Sequence, residues 1–338
     1  MIDLGNLSSG LSNNRNDRVL IIDGLNTYIR IFSSVPIITE NGDHVGGIIG
    51  FLRSVALSIR EFNPTRCVIV FDGRGGSLRR RKLYSDYKMN RVNKFNLRRD
   101  GVMSLEEEQE SMKRQMIRLL QYLECLPLEV ICLDNVEADD VIAYMATQSF
   151  KDSSKVRIVS TDRDFLQLVD DRVEVYSGVK KKLYDRAAMV EEFGIIPENY
   201  LLYRMFSGDT SDNIPGIDGV GLKTLIKSFP QITETPIEYS DIYTLCEKEM
   251  QNKKPKKIFE SILNSKDSIE RNYKLMQLSN PDIGGVTTLK IIESLEIPGQ
   301  RLNATKFKSM LYFDKIFAFK DIDSWLLKSF NGLQSWIR

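Results

Sequence analysis

Residues 19–23 read Val-Leu-Ile-Ile-Asp, four apolar residues that end in a carboxylate. The same pattern returns at 67–72, Cys-Val-Ile-Val-Phe-Asp, and at 156–162, Val-Arg-Ile-Val-Ser-Thr-Asp. Nearly continuous apolar runs of this length are typical of central parallel strands, which are covered on both faces. Because parallel strands end at the same edge of a sheet, we expect the three terminal aspartates to lie close together.

The segments between these runs have helical periodicity. Apolar residues recur on one helical face between Ile48 and Ile59, and this predicts an amphipathic helix between the first two strands. A further strand is predicted at 129–133, followed by a helix from about Glu137, and Ser104 begins another helix with capping-box spacing. Alternating strands and helices predict an α/β fold, in which helices flank a central, mostly parallel sheet.

Acidic residues cluster at the ends of the predicted strands and just beyond them. Two like charges about 4 Å apart repel by about 4 kcal/mol at an effective dielectric near 20, so a gathered set of carboxylates needs counter-charge. Oxygen-only ligand sets favour Mg²⁺, and Mn²⁺ is able to substitute for it. Nine residues are therefore candidate metal ligands: Asp23, Asp72, Glu137, Asp139, Asp140, Asp162, Asp164, Asp209 and Asp212.

A strongly basic segment lies between two of these acids. Residues 74–99 contain ten Lys and Arg residues against one acid, Asp86, and so carry a net charge of +9. Since the whole chain carries only +1, the remainder carries −8. This asymmetry indicates a polyanion held beside the acidic cluster, although a solvated basic loop is the alternative. Arg79, Arg80 and Arg81 are candidate nucleic-acid contacts in this segment.

Beyond Leu201 the pattern becomes helical. A glycine-rich stretch at 213–224 separates two predicted helices, and amide groups at the start of the second helix could bind a phosphate. A plain helix-to-helix linker is the competing interpretation. The candidate contacts of this turn are Gly219, Gly221, Lys223 and Thr224.

Composition excludes several classes of protein. With 338 residues and 42% hydrophobic residues the chain can form a substantial core, and no apolar run is long enough to cross a membrane. The four cysteines form no CxxC pair, which favours reduced thiols in a cytoplasmic protein over zinc or disulfides. Residues 1–17 are rich in Asn, Ser and Gly and are predicted to be a disordered lead-in.

Taken together, the motifs resemble those of the structure-specific 5′-nucleases, which include phage 5′–3′ exonucleases, flap endonucleases and the 5′-nuclease domain of bacterial DNA polymerase I. The resemblance runs from about residue 19 to residue 278. It depends on the acids that end the first two strands, Tyr-Lys-x-Asn-Arg at 87–91, Glu-Ala-Asp-Asp at 137–140, Thr-Asp-x-Asp at 161–164, and Gly-Asp-x-x-Asp-Asn-Ile-Pro-Gly at 208–216.

The resemblance implies a domain plan and a division of the acids. It implies a PIN-like nuclease core at 18–205 with a helical arch at about 84–115, and a helical DNA-binding region at 206–338 that contains a helix-three-turn-helix near 206–230, where K⁺ can bind. Two or more metal ions are implied. One is bound by acids matching Asp23, Asp72, Glu137, Asp139 and Asp140, and the second lies near Asp162, Asp164, Asp209 and Asp212.

The resemblance also implies roles for residues at the base of the arch. Lys88 and Arg91 match the basic residues that contact the scissile phosphate, and Asp23 and Asp72 join them as catalytic candidates. Tyr87 offers a ring that could stack on an unpaired base. His44 is the only histidine and is interpreted as a loop residue, and Phe32 as a core aromatic in preference to a wedge against a base pair.

The activity so predicted is a metal-dependent 5′–3′ exonuclease and flap endonuclease, acting on branched DNA or RNA–DNA primers in replication and repair. The predicted protein is a monomer from a bacterium or an infected host cell, with a sliding clamp or a single-strand-binding protein as candidate partners. Two alternatives share the fold: a nuclease-inactive protein that binds branched DNA, and a PIN-type ribonuclease. A haloacid-dehalogenase-type phosphatase is disfavoured, because it needs a second Asp where this chain has Leu25.

Overall fold

A six-stranded sheet at the centre of the molecule brings the acidic strand ends together. In the computed structural model, which describes residues 14–90, 104–297 and 299–337, the strand order is β3-β2-β1-β4-β5-β6. Strands β1 to β5 are parallel, and β6 is antiparallel to β5. The predicted α/β class is confirmed. The strands are β1 Arg18–Asp23, β2 Arg66–Asp72, β3 Glu129–Leu133, β4 Lys155–Val159, β5 Val173–Ser177 and β6 Lys182–Tyr184.

The third acidic strand is shorter than its sequence pattern predicts. Strand β4 ends at Val159, three residues before Asp162. The Asp162 side chain accepts a hydrogen bond from the amide of Asp164 and caps the 3-10 helix Arg163–Leu168. Local side-chain capping therefore ends the extended conformation early, but Asp162 still lies beyond the carboxyl end of the strand.

Helices cover both faces of the sheet, and alternate residues of each strand contact one face or the other. Leu20 and Ile22 pack against α1, α2, α4, α13 and α14, whereas Val19 and Ile21 pack in the cluster that includes α5 and α7 to α11. The helices are α1 Gly24–Ser34, α2 Gly46–Phe62, α3 Leu78–Leu83, α4 Leu105–Leu123, α5 Ala138–Tyr144, α6 Arg186–Phe193, α7 Tyr200–Ser207, α8 Leu222–Ser228, α9 Tyr239–Glu249, α10 Lys257–Asn264, α11 Lys266–Met276, α12 Gly285–Glu296, α13 Ala304–Phe313 and α14 Ile322–Gln334.

Three of the helices begin where the sequence predicts. The stripe from Ile48 to Ile59 lies on the buried face of α2. Ser104 caps α4 with a complete capping box that includes Glu107. Glu137 is the N-cap residue of α5, so the two aspartates that follow it lie in the first turn. Their charges complement the positive end of the helix dipole.

The region beyond residue 205 is helical as predicted, but its helices separate into two groups. Helices α7 and α8 are joined by a small hairpin, β7 Gly208–Asp209 with β8 Ile214–Pro215, and by the turn that follows it. Helices α8 to α11 pack in one core cluster, whereas α13 and α14 pack on the opposite face of the sheet beside α1 and α2. The boundary at 205/206 stays a prediction, and the helices after it do not form one separate body.

Several smaller predictions can also be located. Residues 14–17 contact the rest of the protein: Arg15 pairs with Glu129, and the Thr65 hydroxyl donates to the Arg15 carbonyl. Residues 1–13 lie outside the described ranges. The same holds for residues 91–103 of the predicted arch. Phe32 is fully buried, as a core aromatic should be. Within the described residues, no helix is both long and apolar enough to span a bilayer.

His44 lies in the loop between α1 and α2, as expected, and its side chain is buried. One ring nitrogen, Nδ1, lies 2.9 Å from Nε2 of Gln115, and the other, Nε2, lies 2.9 Å from the carbonyl oxygen of Val35. The imidazole therefore ties the α1–α2 connection to α4, which is a structural role away from the acids.

Candidate active site

Five of the nine acids line one open cavity at the carboxyl edge of the sheet. The cavity has a volume of about 540 Å³, and Lys88 and Arg30 also line it. The order β2-β1-β4 places the ends of these three strands side by side, and α5 begins next to β2. The convergence predicted from the strand-end pattern is therefore present. The five lining acids are Asp23, Asp72, Glu137, Asp139 and Asp162.

Short hydrogen bonds orient the carboxylates of the two central strands. Asp23 ends β1 and accepts from the Ser160 hydroxyl at 2.8 Å and from the Asn26 amide at 3.2 Å. Asp72 ends β2, and its Oδ1 accepts from the Ala138 amide at 3.0 Å, which ties β2 to the start of α5. Each carboxylate oxygen can accept more than one hydrogen bond, so both residues keep lone pairs for a ligand in the cavity that they line.

Burial and mutual repulsion disfavour the charged forms of Asp23, Asp139 and Asp162. Burial, together with the nearby charges of Asp162 and Asp72, raises the pKa of Asp23 to about 7 despite the opposing hydrogen bonds from Ser160 and Asn26. Burial likewise raises the pKa of Asp139 well above its usual value, with repulsion from Asp162 adding to the effect. The pKa of Asp162 is also raised by burial. A positive charge placed near this cluster would stabilise the ionised carboxylates.

Glu137 is the acid in the cavity whose ionised form is favoured. Its burial alone would raise its pKa, but the charges of Lys88 and Arg80 outweigh burial and lower it. Its Oε2 accepts from Lys88 Nζ at 3.1 Å and from the Tyr87 hydroxyl at 3.1 Å. The other oxygen, Oε1, is buried and has no hydrogen-bond partner among the residues that the structure describes. Because an unsatisfied buried carboxylate oxygen is costly, this atom is suited to bind a cation.

Asp140 does not line the cavity, and its assignment as a metal ligand stays a prediction. Both of its oxygens accept from the Arg80 guanidinium at 2.7 Å, in a bidentate pair buried from solvent. Arg80 also donates to Glu137 at 3.0 Å and to the Leu275 carbonyl at 2.8 Å. These contacts use the fork of donors of Arg80 inside the protein, so nucleic-acid binding by Arg80 also stays a prediction.

Asp164 and Asp209 are paired with a second buried arginine. Arg204 Nε donates to Asp164 at 3.0 Å, and its Nη2 bonds to Asp209. Burial raises the pKa of Asp164 to about 7 even beside this cation, whereas hydrogen bonds from Ser211 and the charge of Arg204 outweigh burial and lower the pKa of Asp209. Neither acid lines the cavity as the side chains stand, and their assignment as metal ligands stays a prediction.

Asp209 and Asp212 lie on a tight turn, and not on one helical face as their spacing of three suggests. Asp209 ends strand β7, and its Oδ1 accepts from the Ser211 amide at 2.7 Å. Gly208 makes this turn possible: its φ is +70°, and a Cβ there would lie 2.4 Å from the Gly216 nitrogen. Asp212 is buried near the cavity, with an oxygen 3.9 Å from Lys88 Nζ.

Carboxylate oxygens are suitable ligands for a divalent ion, but the side chains would have to change conformation to bind one together. Within the described ranges, no three His, Cys, Asp or Glu side chains already form a group able to hold one ion. Cations of the protein contact some of the oxygens, with Lys88 on Glu137 and Arg204 on Asp164 and Asp209. The unpartnered Glu137 oxygen and the raised pKa of Asp23 and Asp139 fit an oxygen-binding cation such as Mg²⁺.

The predicted nucleic-acid contacts differ in how exposed they are. Tyr87 is buried and its hydroxyl donates to Glu137, so stacking of its ring on a base stays a prediction that needs another conformation. Arg79 pairs with Asp282 at 3.1 Å, and Arg81 is exposed on α3. Arg91 lies outside the described residues. Near the start of α8, Gly219, Gly221 and Lys223 are exposed and Thr224 is half-buried.

Two arginines with clear places at the site were not found by sequence reasoning. Arg204 lies in α7, and nothing in its local pattern shows that it points toward Asp164 and Asp209. Arg30 lies in α1 and lines the same cavity as Lys88, with its buried Nε unpartnered. Its position seven residues after Asp23, about two helical turns into α1, was the available signal.

Comparison with known proteins identifies relatives over most of the chain. The family model described as the 5′-3′ exonuclease, N-terminal resolvase-like domain, matches residues 18–194, just over half of the chain. A 5′-3′ exonuclease of Aquifex aeolicus (strain VF5) is 30% identical over 304 residues, which cover 88% of this chain and 95% of the relative. The thermostable DNA polymerase I of Thermus thermophilus is 32% identical over 208 residues, so 61% of this chain matches only 23% of that polymerase.

Among solved structures, the bacteriophage T5 D15 flap endonuclease in a complex with DNA and metal ions superposes with a TM-score of 0.60. The match covers 88% of this chain and 99% of that chain at 20% identity, and so it shows a shared fold. The family match and the Aquifex relative carry the assignment further, since both include the strands that position the acids. The chain belongs to the 5′-3′ exonuclease family.

Proposed function

We propose that this protein is a divalent-metal-dependent 5′–3′ exonuclease and flap endonuclease that hydrolyses phosphodiesters near the 5′ ends of branched DNA or RNA–DNA primers. The observation that carries the proposal is the cavity in which five acids from β1, β2, α5 and the end of β4 face Lys88. Relatives named as 5′-3′ exonuclease and as DNA polymerase I support this reaction class. Replication and repair are the processes such a nuclease serves.

Bound divalent ions supply a nucleophilic water at neutral pH and stabilise charge on the attacking and leaving oxygens. We propose Asp23, Asp72, Glu137, Asp139 and Asp162 as the residues that hold these ions, with Mg²⁺ as the physiological ion and Mn²⁺ as a substitute. Solved relatives of this fold crystallised with metal ions support metal dependence. Asp212 is close enough to the cavity to join them, whereas Asp140, Asp164 and Asp209 act as partners of buried arginines.

Lys88 lines the cavity beside the acids, and its ammonium lies 3.1 Å from Glu137. With Glu137 holding a metal ion, the Lys88 ammonium would be available to donate to a non-bridging phosphate oxygen. A preorganised cation at that oxygen stabilises the charge that develops in the transition state. Arg30 lines the same cavity and is placed to orient the same phosphate. Arg91 shares the proposed role of Lys88.

Duplex binding is proposed for the turn before α8. Its exposed backbone at Gly219 and Gly221, together with Lys223 and Thr224, offers donors to a phosphate chain without any base-reading group. A K⁺ ion at this turn is part of the proposal. A sliding clamp or single-strand-binding protein as partner, a monomeric state and a cytoplasmic location are proposed on family grounds alone.

Cleavage mapping on labelled 5′-flap, nicked and RNA-primed duplexes tests the proposal. The expected result is Mg²⁺-dependent release of short 5′ products, which chelation stops. Comparison of the cleavage of free and blocked 5′ flaps then tests whether the flap threads through an enclosed arch or binds in an open one. Binding of flap DNA without cleavage in Mg²⁺ or Mn²⁺ would favour the inactive DNA-binding alternative, and cleavage of single-stranded RNA alone would favour the PIN-type ribonuclease.

A further inference from the structure

The loop that carries Lys88 is held by the loop that carries Asp212, mainly through Asn213. The Asn213 side chain donates through Nδ2 to the Asp86 carbonyl at 2.8 Å. Its Oδ1 accepts from Nδ2 of Asn90 at 2.9 Å. One residue earlier, the Asp212 carbonyl accepts from the Lys88 amide at 2.9 Å. These bonds attach the Lys88 loop on both sides of Lys88.

The backbone of this loop needs such support. Lys88 has φ +58°, a left-handed conformation that costs an ordinary L-residue about 1–2 kcal/mol. Asn213 has φ +59°, but asparagine adopts this region more readily. In the observed conformation Lys88 Nζ lies 3.1 Å from Glu137 Oε2. A relaxed backbone at Lys88 would turn the side chain out of the cavity.

We propose that Asn213 is a positioning residue for cleavage: its side-chain amide keeps the Lys88 loop in the left-handed conformation that holds the Lys88 ammonium in the acidic cavity. The inference rests on the proposed nuclease function. Asn213 contacts neither the cavity acids nor the substrate in this assignment, and it acts through Lys88. Because Asn213 lies between Asp212 and α8 in the chain, it also connects the proposed duplex-binding turn to the base of the arch.

Asn213→Gly is the informative variant, because glycine retains the left-handed backbone while both side-chain hydrogen bonds are lost. Displacement of a catalytic group by about 1 Å can cost up to 10²-fold in rate. We expect kcat on a 5′-flap substrate to fall about tenfold with KM unchanged. Asn63→Gly is the matched control, since Asn63 is also left-handed, at φ +43°, but caps α2 away from the cavity.

A double-mutant cycle separates positioning from general damage. In a Lys88→Ala background, Asn213→Gly should change kcat by less than about twofold, since the group it positions is gone. An equal loss of kcat in both backgrounds, or no loss in the wild-type background, would overturn the inference. Failure of the proposed function looks different, because the wild-type protein itself would then be inactive.

A second readout needs neither metal nor substrate. The Lys88 amide is protected from hydrogen exchange by its bond to the Asp212 carbonyl. Asn213→Gly should accelerate exchange in the peptide that spans residues 84–90 while exchange in the central strands is unchanged. Unaltered exchange at 84–90 would contradict the inference even in a protein with reduced activity, and global acceleration would assign Asn213 to fold stability alone.

Discussion

The acids of this protein form two groups that differ in how their charge is balanced. The cavity group comprises Asp23, Asp72, Glu137, Asp139 and Asp162. Lys88 lines the same cavity, and its ammonium lies 3.1 Å from Glu137. The paired group comprises Asp140, Asp164 and Asp209, which bond to the buried guanidinium groups of Arg80 and Arg204. The difference shows that acidic residues only a few positions apart in sequence can have different electrostatic partners.

The contrast has an energetic meaning. Paired carboxylates are satisfied within the fold, and removal of either partner leaves an uncompensated buried charge. Carboxylates in the cavity are held near one another at a cost, which the raised pKa of Asp23 and Asp139 expresses. We expect them to lower the stability of the metal-free fold and to gain their counter-charge from bound ions. Substitutions in the two groups should therefore have opposite effects on stability, and those in the cavity group should have the larger effect on activity.

The largest effect is expected in the cavity group. Asp72→Asn and Asp162→Asn should each lower flap cleavage by about 10³-fold or more, because transition-state charge loses its counter-ions. Binding of the flap should be largely intact, and each asparagine can still accept the backbone hydrogen bond made by the wild-type residue. Single-turnover cleavage of a labelled 5′-flap checks this, with the exposed Asp171→Asn as control. Unaltered cleavage would refute the assignment.

The next effect is on stability in the paired group. Arg204→Met leaves Asp164 and Asp209 buried without their cation, and we expect a loss of about 3–5 kcal/mol in the free energy of unfolding. Asp139→Asn in the cavity group should instead raise the stability of the metal-free protein by about 1 kcal/mol. Urea denaturation in the presence of a chelator measures both. The same sign for the two variants would break the distinction between the groups.

Lys88→Ala should lower kcat by about 10²-fold while divalent ions still bind, because its role is electrostatic stabilisation of the phosphate. The measurement pairs cleavage kinetics with calorimetric titration of Mn²⁺. If metal affinity fell with activity, Lys88 would belong to the structure of the cavity, and its 3.1 Å contact with Glu137 would be its main role.

The smallest expected effect is a pH dependence of stability. The pKa of Asp23 and of Asp164 is about 7 in the folded protein, against about 3.9 in an unfolded chain. Between these values the folded state binds more protons than the unfolded state, so stability falls as pH rises from about 5 to 7. We expect Mg²⁺ to bind the ionised cavity group and therefore to raise Tm more at pH 8 than at pH 5.5. Asp23→Asn should flatten the slope, and an unchanged slope would exclude Asp23 as its source.

Much of this organisation could be predicted from the sequence, because it depends on periodic local signals. The apolar runs ending in Asp23 and Asp72 predict the strands, and the capping residues Ser104 and Glu137 mark helix starts. Convergence of the acids follows from parallel strand ends. The family resemblance extended these inferences to the reaction, and the comparisons confirmed the family.

The division of the acids could not be predicted, because it depends on long-range contacts. Arg80 lies 60 residues from Asp140 in sequence, and a run of arginines gives no indication which of them is buried. Tyr87 and Lys88 are neighbours in sequence and both donate to Oε2 of Glu137, yet only Lys88 also lines the cavity. Such assignments require tertiary geometry, because sequence neighbours on a turn can differ in their access to a cavity.

Asp139 and Asp140 are neighbours in the chain and belong to different groups, so one matched measurement tests the central claim most directly. Mn²⁺ titration by calorimetry should show at least about tenfold weaker binding for Asp139→Asn, since a carboxylate ligand is lost. Asp140→Asn should leave Mn²⁺ affinity within about twofold while lowering stability, because its partner is Arg80. Equal weakening of Mn²⁺ binding by the two substitutions would contradict the division of the acids into a metal-binding group and an arginine-paired group.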